Sequence, residues 1–243
     1  MTNQEILTQY KRIGRKTMCP EIEEVLKQLN SNCADEPLKP FETFRVAHRR
    51  PIEYRFDEKD NRKRKYKEPD SQKETMMQRH IFFASEKYKK EFGHLIGYEV
   101  EIPREGRMVP IDLIGIDVKG GKCTIFLIEM KKMGNSDTLL HAMCEISTYK
   151  IWFMAALKCE ADGLKEKILQ KALDKKIDVT LEEIKNAIVQ LVIVGSKEMI
   201  KQKEYFKDYD LGAYQIYAID KSNAYREGIS YDSKEKLYAL TKL

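Results

Sequence analysis

Val109-Pro110-Ile111-Asp112-Leu113-Ile114 and Ile125-Phe126-Leu127-Ile128-Glu129-Met130-Lys131 are two apolar, strand-like runs joined through Lys119-Gly120-Gly121-Lys122. A Gly-Gly pair between two such runs predicts a two-residue β-hairpin. Folding the chain at the Gly120–Gly121 bond sets Asp112 directly opposite Glu129. Opposed residues of an antiparallel pair share a face at roughly 5 Å, and Lys131, two residues beyond Glu129, shares it too. Two carboxylates and an ammonium thus converge on an otherwise apolar hairpin. Two facing carboxylates repel unless a cation lies between them, which makes the pair a candidate metal site. Lys131 becomes a candidate to orient or deprotonate water. The neighbours Ile111, Leu113, Ile114, Phe126, Leu127 and Ile128 are too apolar for an ion pair on an exposed edge strand.

The rest of the chain narrows the alternatives. Its 243 residues, 42% hydrophobic, suffice for one large domain or a domain with an extension. There is no apolar run of about 18 residues and no basic-then-apolar leader at Met1–Glu5, so a cytoplasmic protein with no membrane partner is expected. Cys19, Cys33, Cys123, Cys144 and Cys159 are scattered without a CxxC pair. That spacing supports neither a zinc module, a disulfide framework nor an iron–sulfur cluster. No G-x-x-x-x-G-K-[S/T] loop occurs, which excludes a Walker-A ATPase. The net charge of +5 is local: Arg49 to Lys67 holds nine Lys/Arg against four acids, leaving a neutral remainder. A basic block on a neutral body fits contact with a polyanion.

A core with an N-terminal extension is expected. Residues 1–70 form an N-terminal helical and ribbon extension carrying the basic segment 49–67, and residues 71–243 form an α/β core. In the core, Asp70-Ser71 caps a helix over Gln72–Phe92 with a buried stripe of Met77, Ile81, Ala84, Tyr88 and Phe92. A strand at Tyr98–Ile102, ended by Pro103, precedes strands at 109–117 and 123–131. Gly134–Asp137 breaks the chain and caps a helix over Thr138–Lys158. Helices near Leu164–Asp174 and Leu181–Ala187 follow, then a fully buried strand at Ile188–Val194. Ser196 caps a helix to about Phe206, and Tyr214–Ile219 is a last strand. This order predicts a central mixed β-sheet, an antiparallel meander followed by a crossover strand, flanked by helices on both faces.

These residues resemble the PD-(D/E)xK nuclease superfamily. Glu129-Met130-Lys131 matches (D/E)-x-K, and Pro110-Ile111-Asp112 departs from Pro-Asp by one inserted Ile. Glu145-Ile146-Ser147-Thr148-Tyr149 resembles the Q-x-x-x-Y element of RecB-like members, with Glu in place of Gln. The resemblance covers roughly residues 72 to 220 and implies a restriction-endonuclease-like core. It implies that Asp112, Glu129 and the backbone carbonyl of Met130 bind Mg²⁺, with Mn²⁺ able to substitute. Lys131 would orient or activate the attacking water, and a further acid would come from the preceding helix. Glu74 extends the Met77/Ile81 stripe and is the choice there, whereas Glu86 projects away and Glu91 lies at the edge. Glu145 and Tyr149, four residues apart, share a helix face and would contact a scissile phosphate or a base.

Such a set suits Mg²⁺-dependent phosphodiester hydrolysis of DNA, since Mg²⁺ is held by one or two carboxylates plus substrate phosphate. Arg49, Arg50, Arg62, Lys63, Arg64, Lys65 and Lys67 would grip backbone phosphates. The alternatives are a non-cleaving nucleic-acid-binding module and an interaction subunit of a DNA defence or repair assembly. The sequence leaves open a homodimer or a partner protein docked through residues 1–70.

Overall fold

The computed structural model describes Phe56 and residues 73–104, 107–132, 138–158, 163–202, 204, 214–222 and 236–243. The expectations for the extension fall outside the described residues, apart from Phe56: its helices, its ribbon, its basic segment and the boundary at residue 70. So do the Asp70-Ser71 cap, the Gly134–Asp137 break and the end of the helix placed at Phe206.

Helix α1 spans Glu74–Phe83 and is followed by a 3-10 turn, Ser85–Lys87, and the short α2, Lys89–Phe92. The single helix expected over Gln72–Phe92 is therefore interrupted. Its N-cap is Lys73, and at Ala84 and Ser85 the chain tightens, with Lys87 N–H donating to Ala84 O and Tyr88 N–H to Ser85 O. Serine competes for the backbone and weakens a helix interior. The stripe survives the interruption, for Met77, Ile81, Ala84, Tyr88 and Phe92 are all buried.

Strands β1 (His94–Arg104), β2 (Arg107–Lys119) and β3 (Lys122–Met130) follow. Each differs by a few residues from the expected range, and β1 runs through Pro103 rather than ending there. Then come α3 (Leu139–Lys158), α4 (Leu164–Asp174), α5 (Leu181–Lys185), β4 (Ile188–Ser196), α6 (Lys197–Lys201), β5 (Tyr214–Lys221) and β6 (Tyr238–Lys242). Thr138 heads α3, its hydroxyl accepting from His141 N–H at 3.1 Å, while Gln202 Oε1 accepts from Leu139 N–H at 2.9 Å. Ser196 caps α6 through Met199 N–H, as expected, and Thr180 forms a capping box with Glu183 on α5.

The described strands form one six-stranded sheet in sequential order. Pairs β1–β2, β2–β3 and β5–β6 are antiparallel, whereas β3–β4 and β4–β5 are parallel. The mixed sheet with its meander and crossover is present as expected. Tyr214–Lys221 is not the last strand, because β6 closes that edge. Strand β4 is buried only from Leu191 onward, and Ile188 at its start is 60% exposed.

Helices cover both faces. On one, Leu140, Met143, Trp152 and Phe153 of α3 pack with Ile114, Ile125, Leu127 and Ile193. On the other, Met77, Ile81 and Phe92 pack with Leu113, Phe126, Ile128, Val192 and Val194. The period-2 alternation of β3 and β4 between these layers is what makes both runs continuously apolar.

Two glycine positions shape the meander. Gly120 and Gly121 have φ of 57° and 74°, the left-handed pair a type I′ hairpin needs. At Gly115 a side chain would run into the backbone carbonyl oxygen of Phe92, so α2 lies directly on β2. We expect Gly115→Ala to lower unfolding free energy by about 2 kcal/mol, since a backbone atom cannot step aside. Gly120→Asn should stay within about 0.5 kcal/mol, because that turn is open and Asn tolerates left-handed φ. Urea titration of both variants checks the contrast.

Candidate active site

The β2–β3 ladder keeps the predicted register from Lys119↔Lys122 to Leu113↔Ile128 and stops there. Beyond that point β2 continues along β1 as far as Arg104↔Arg107, and β3 continues along β4 as far as Met130↔Val194. The sheet forks between β2 and β3, and Asp112, Glu129 and Lys131 lie at the fork. Strand β3 is interior, and the three side chains are 9%, 3% and 6% exposed. This is not an ion pair on an edge strand.

Backbone direction explains how Asp112 is held. Lys131 N–H donates to Val194 O at 2.8 Å, on the β4 side. Met130 N–H, one residue back, points the other way, where β2 no longer pairs. The Asp112 carboxylate fills that gap, with Oδ2 accepting from Met130 N–H at 2.6 Å. In the trans peptide that carries Lys131 N–H, the carbonyl opposes the N–H. The Met130 carbonyl is therefore aimed to the same side as Asp112.

Glu129 and Lys131 share the parity of Ile125 and Leu127, so both face the layer covered by α3. Lys131 Nζ donates to Glu129 Oε1 at 2.6 Å and to Glu145 Oε2 at 2.7 Å. Tyr149 OH donates to Glu145 Oε1 at 3.1 Å, so Glu145 and Tyr149 do meet on one helix face. Glu145 is directed at the lysine rather than standing clear of it, a pairing the motif alone did not reveal. Its signal was present in the sequence: an acid on the crossover helix and a lysine at the end of the strand that helix covers. Glu129 Oε2 is buried without a hydrogen-bond partner among the described residues.

Glu74 arrives from the other face. Its Oε2 accepts from Lys132 N–H at 3.1 Å, and its charge reaches Asp112. Glu86 is exposed, and Glu91 pairs with Lys236 at 2.8 Å, so Glu74 is the acid of this helical segment that reaches the fork. Lys132 is exposed, as its parity predicts. His80 is fully buried between Tyr88 and Tyr238, away from any metal-ligand spacing. Cys123 and Cys144 are free and buried.

Among the described residues, Glu129 and Glu145 pair with the Lys131 ammonium, Asp112 lies within its electrostatic reach, and Glu74 within that of Asp112. Burial raises Asp112 well above the usual carboxylate range, and the nearby Glu74 adds to the rise. Glu129 is raised likewise, first by burial and then by Asp112 and Glu145. Burial alone would lower Lys131, but Glu129 and Glu145 outweigh it and hold the ammonium firmly protonated. Burial would raise Glu145, yet the lysine charge and hydrogen bond keep it low.

This donor set suits a divalent cation. It offers hard oxygen ligands and, among the described residues, one buried Glu129 oxygen without a hydrogen-bond partner. No group of three or more His, Cys, Asp or Glu among the described residues forms a closed metal cage. A Mg²⁺ ion held by two carboxylates and otherwise by water and substrate needs none. Comparison of the chain with protein-family models, curated proteins and solved structures returns no match.

The electrostatics predict a stability gain from neutralising Asp112. Asp112 has a raised pKa in the folded chain, so the unfolded chain loses its proton first as pH rises. Stability that is present below the ordinary aspartate range is lost as pH climbs through the raised value. Asp112→Asn keeps an acceptor for Met130 N–H and removes the charge. We expect it to stabilise the metal-free protein by roughly 1–3 kcal/mol near pH 8, with the gain shrinking toward pH 4. Urea unfolding across that range in EDTA measures it; a gain that grows on acidification would reverse the assigned sign.

Proposed function

We propose that the protein is a Mg²⁺-dependent nuclease that hydrolyses phosphodiester bonds of DNA. The observation that carries this reading is the meeting, at the fork between β2 and β3, of Asp112, Glu129 with its unpartnered oxygen, and the protonated amine of Lys131. A helix, a three-strand meander, a crossover helix and a parallel strand surround the site, an order that agrees with a restriction-endonuclease-like core.

Asp112 and Glu129 would hold the ion, and the Met130 carbonyl, aimed to that side, would be a further ligand. When bound, such an ion supplies charge neutralisation for the phosphate and a water acidified toward hydroxide. The chain's own groups do the rest. Asp112 is fixed by the Met130 amide, so its ligand geometry is set before the ion arrives. Lys131 keeps its proton and acts as a donor that orients water and offsets phosphate charge. Glu145 anchors the ammonium from α3, and Tyr149 anchors Glu145. Sharing the ammonium, Glu145 would repel a phosphate less than a bare carboxylate does. Glu74 adds charge on the opposite side of the fork and ties down the backbone after Lys131. The basic residues Arg49, Arg50, Arg62, Lys63, Arg64, Lys65 and Lys67 would supply contact with the DNA backbone, with steep salt dependence.

The test is a panel of supercoiled, linear, single-stranded and branched DNA with Mg²⁺, Mn²⁺ or EDTA. We expect metal-dependent cleavage of at least one form. Asp112→Ala, Glu129→Ala and Lys131→Ala should each reduce it at least about a hundredfold, the scale of losing a group that acts on the reacting centre. Binding without cleavage in either metal would favour the non-cleaving module instead. Full activity of Asp112→Ala would remove the basis of the assignment.

A further inference from the structure

Asp112 owes its position to the strand beside it. In the β1–β2 ladder, Tyr98 pairs with Leu113 and Val100 with Ile111, so Glu99 falls opposite Asp112. Glu99 has φ of 47°, in the left-handed region, in the middle of a strand and without being glycine. Such a conformation is uncommon for a residue bearing a side chain and carries a steric cost that glycine escapes.

The two strands change phase at this pair. Tyr98 and Leu113 belong to the core layer under α1 and α2. Regular alternation would put Val100 and Ile111 in that layer too, yet both lie in the opposite one with Ile114 and Ile102. No residue is inserted, because the pairing runs in step on either side of Glu99 and Asp112. The change is therefore a local rotation of both strands, distinct from the irregularity between Leu95 and Gly97. It coincides with the last rung of the β2–β3 ladder, Leu113↔Ile128.

We propose that Glu99 is a positioning residue for Asp112: its left-handed backbone sets the rotation that turns Asp112 out of the β2 ladder and over the end of β3. In a regular strand, Asp112 would stay in ladder register and Met130 N–H would pair with β2 backbone. With the rotation, the carboxylate of Asp112 takes that N–H instead. Backbone strain held against an alternative this regular persists where the surroundings use it. The consequence for catalysis rests on the hydrolase reading above; the geometric claim does not.

The experiment separates the two. Amide hydrogen exchange and chemical shift are recorded at Met130 and Lys131 in metal-free protein, for Glu99→Gly, Glu99→Asn, Glu99→Ala and Glu99→Val. Gly and Asn accept left-handed φ, so both should keep the Met130 signal and protection near those of the unaltered chain. Ala should weaken protection, and Val, the least tolerant, should accelerate Met130 exchange at least tenfold. The Lys131 amide, bonded to Val194 on the other side of β3, should be unmoved and reports any general loosening. Should Val fail to fold, the contrast between Gly and Ala decides. Equal loss in Gly and Ala would place the effect in the Glu99 side chain and overturn the proposal, as would full Met130 protection in Val or, without it, in Ala. With DNA and Mg²⁺, the variants should lose cleavage in the same order as Met130 protection. If the amide pattern holds while no form of the protein cleaves, the hydrolase reading fails and the positioning role stands.

Discussion

A buried ammonium held between two carboxylates is the interaction on which the site depends. Removing a charged group from water costs several kcal/mol per ion, and the cost is met only by close partners. Lys131 has them in Glu129 and Glu145. Yet Asp112 and Glu74 bring further acidic groups to the same place, and burial and mutual repulsion push Glu129 and Asp112 toward their neutral forms. A core selected for stability alone gains little from gathering Asp112, Glu129 and Glu145 beside a buried lysine. Clustered carboxylates with strongly perturbed pKa values are a common mark of functional sites, which is the ground for the proposal above.

The fold delivers those groups through a change in strand direction. Strand β3 is where the antiparallel meander meets the parallel half of the sheet. Its carboxyl end is free of β2 because β2 turns away with β1, while β4 runs beside it in the same direction. Open α/β sheets place ligand sites outside the carboxyl ends of their strands. Here each layer supplies one part: β2 gives Asp112, the crossover helix α3 gives Glu145 and Tyr149, and α1 on the other face gives Glu74. No two of these elements alone would make the site, so its geometry is as rigid as the packing of all three against β3.

Much of this could be read from residue order. Gly120-Gly121 specified the register, and that register held as far as Leu113↔Ile128. Parity then put Lys131 beside Glu129 and sent Lys132 outward. The helix stripe of Met77 and Ile81 singled out Glu74, which does reach the fork. What could not be read was anything set by tertiary contact. The break at Ala84 leaves the buried stripe unchanged, so periodicity is blind to it. Strand β6 is a short segment, exposed at three of its five residues, that pairs among the described strands with β5 alone, and it lacks the apolar run that betrayed β3 and β4. The left-handed conformation of Glu99 has no sequence signal at all, since a glycine or asparagine would have been the expected marker. The Asp112–Met130 bond depends on that conformation and was hidden with it.

The glutamate at position 145 bears on the chemistry more than its mismatch to Q-x-x-x-Y suggests. A glutamine there could hydrogen-bond to Lys131 through its carbonyl but could not share its charge. With glutamate, the ammonium has two anionic partners instead of one, and its proton is held more tightly. A lysine so placed is a poor base and a good fixed donor. It also occupies one oxygen of Glu129 while leaving the other without a partner. On the nuclease reading proposed above, the unpartnered Glu129 oxygen and the Asp112 carboxylate would be the ligands for an ion, and the lysine would keep its place when one binds.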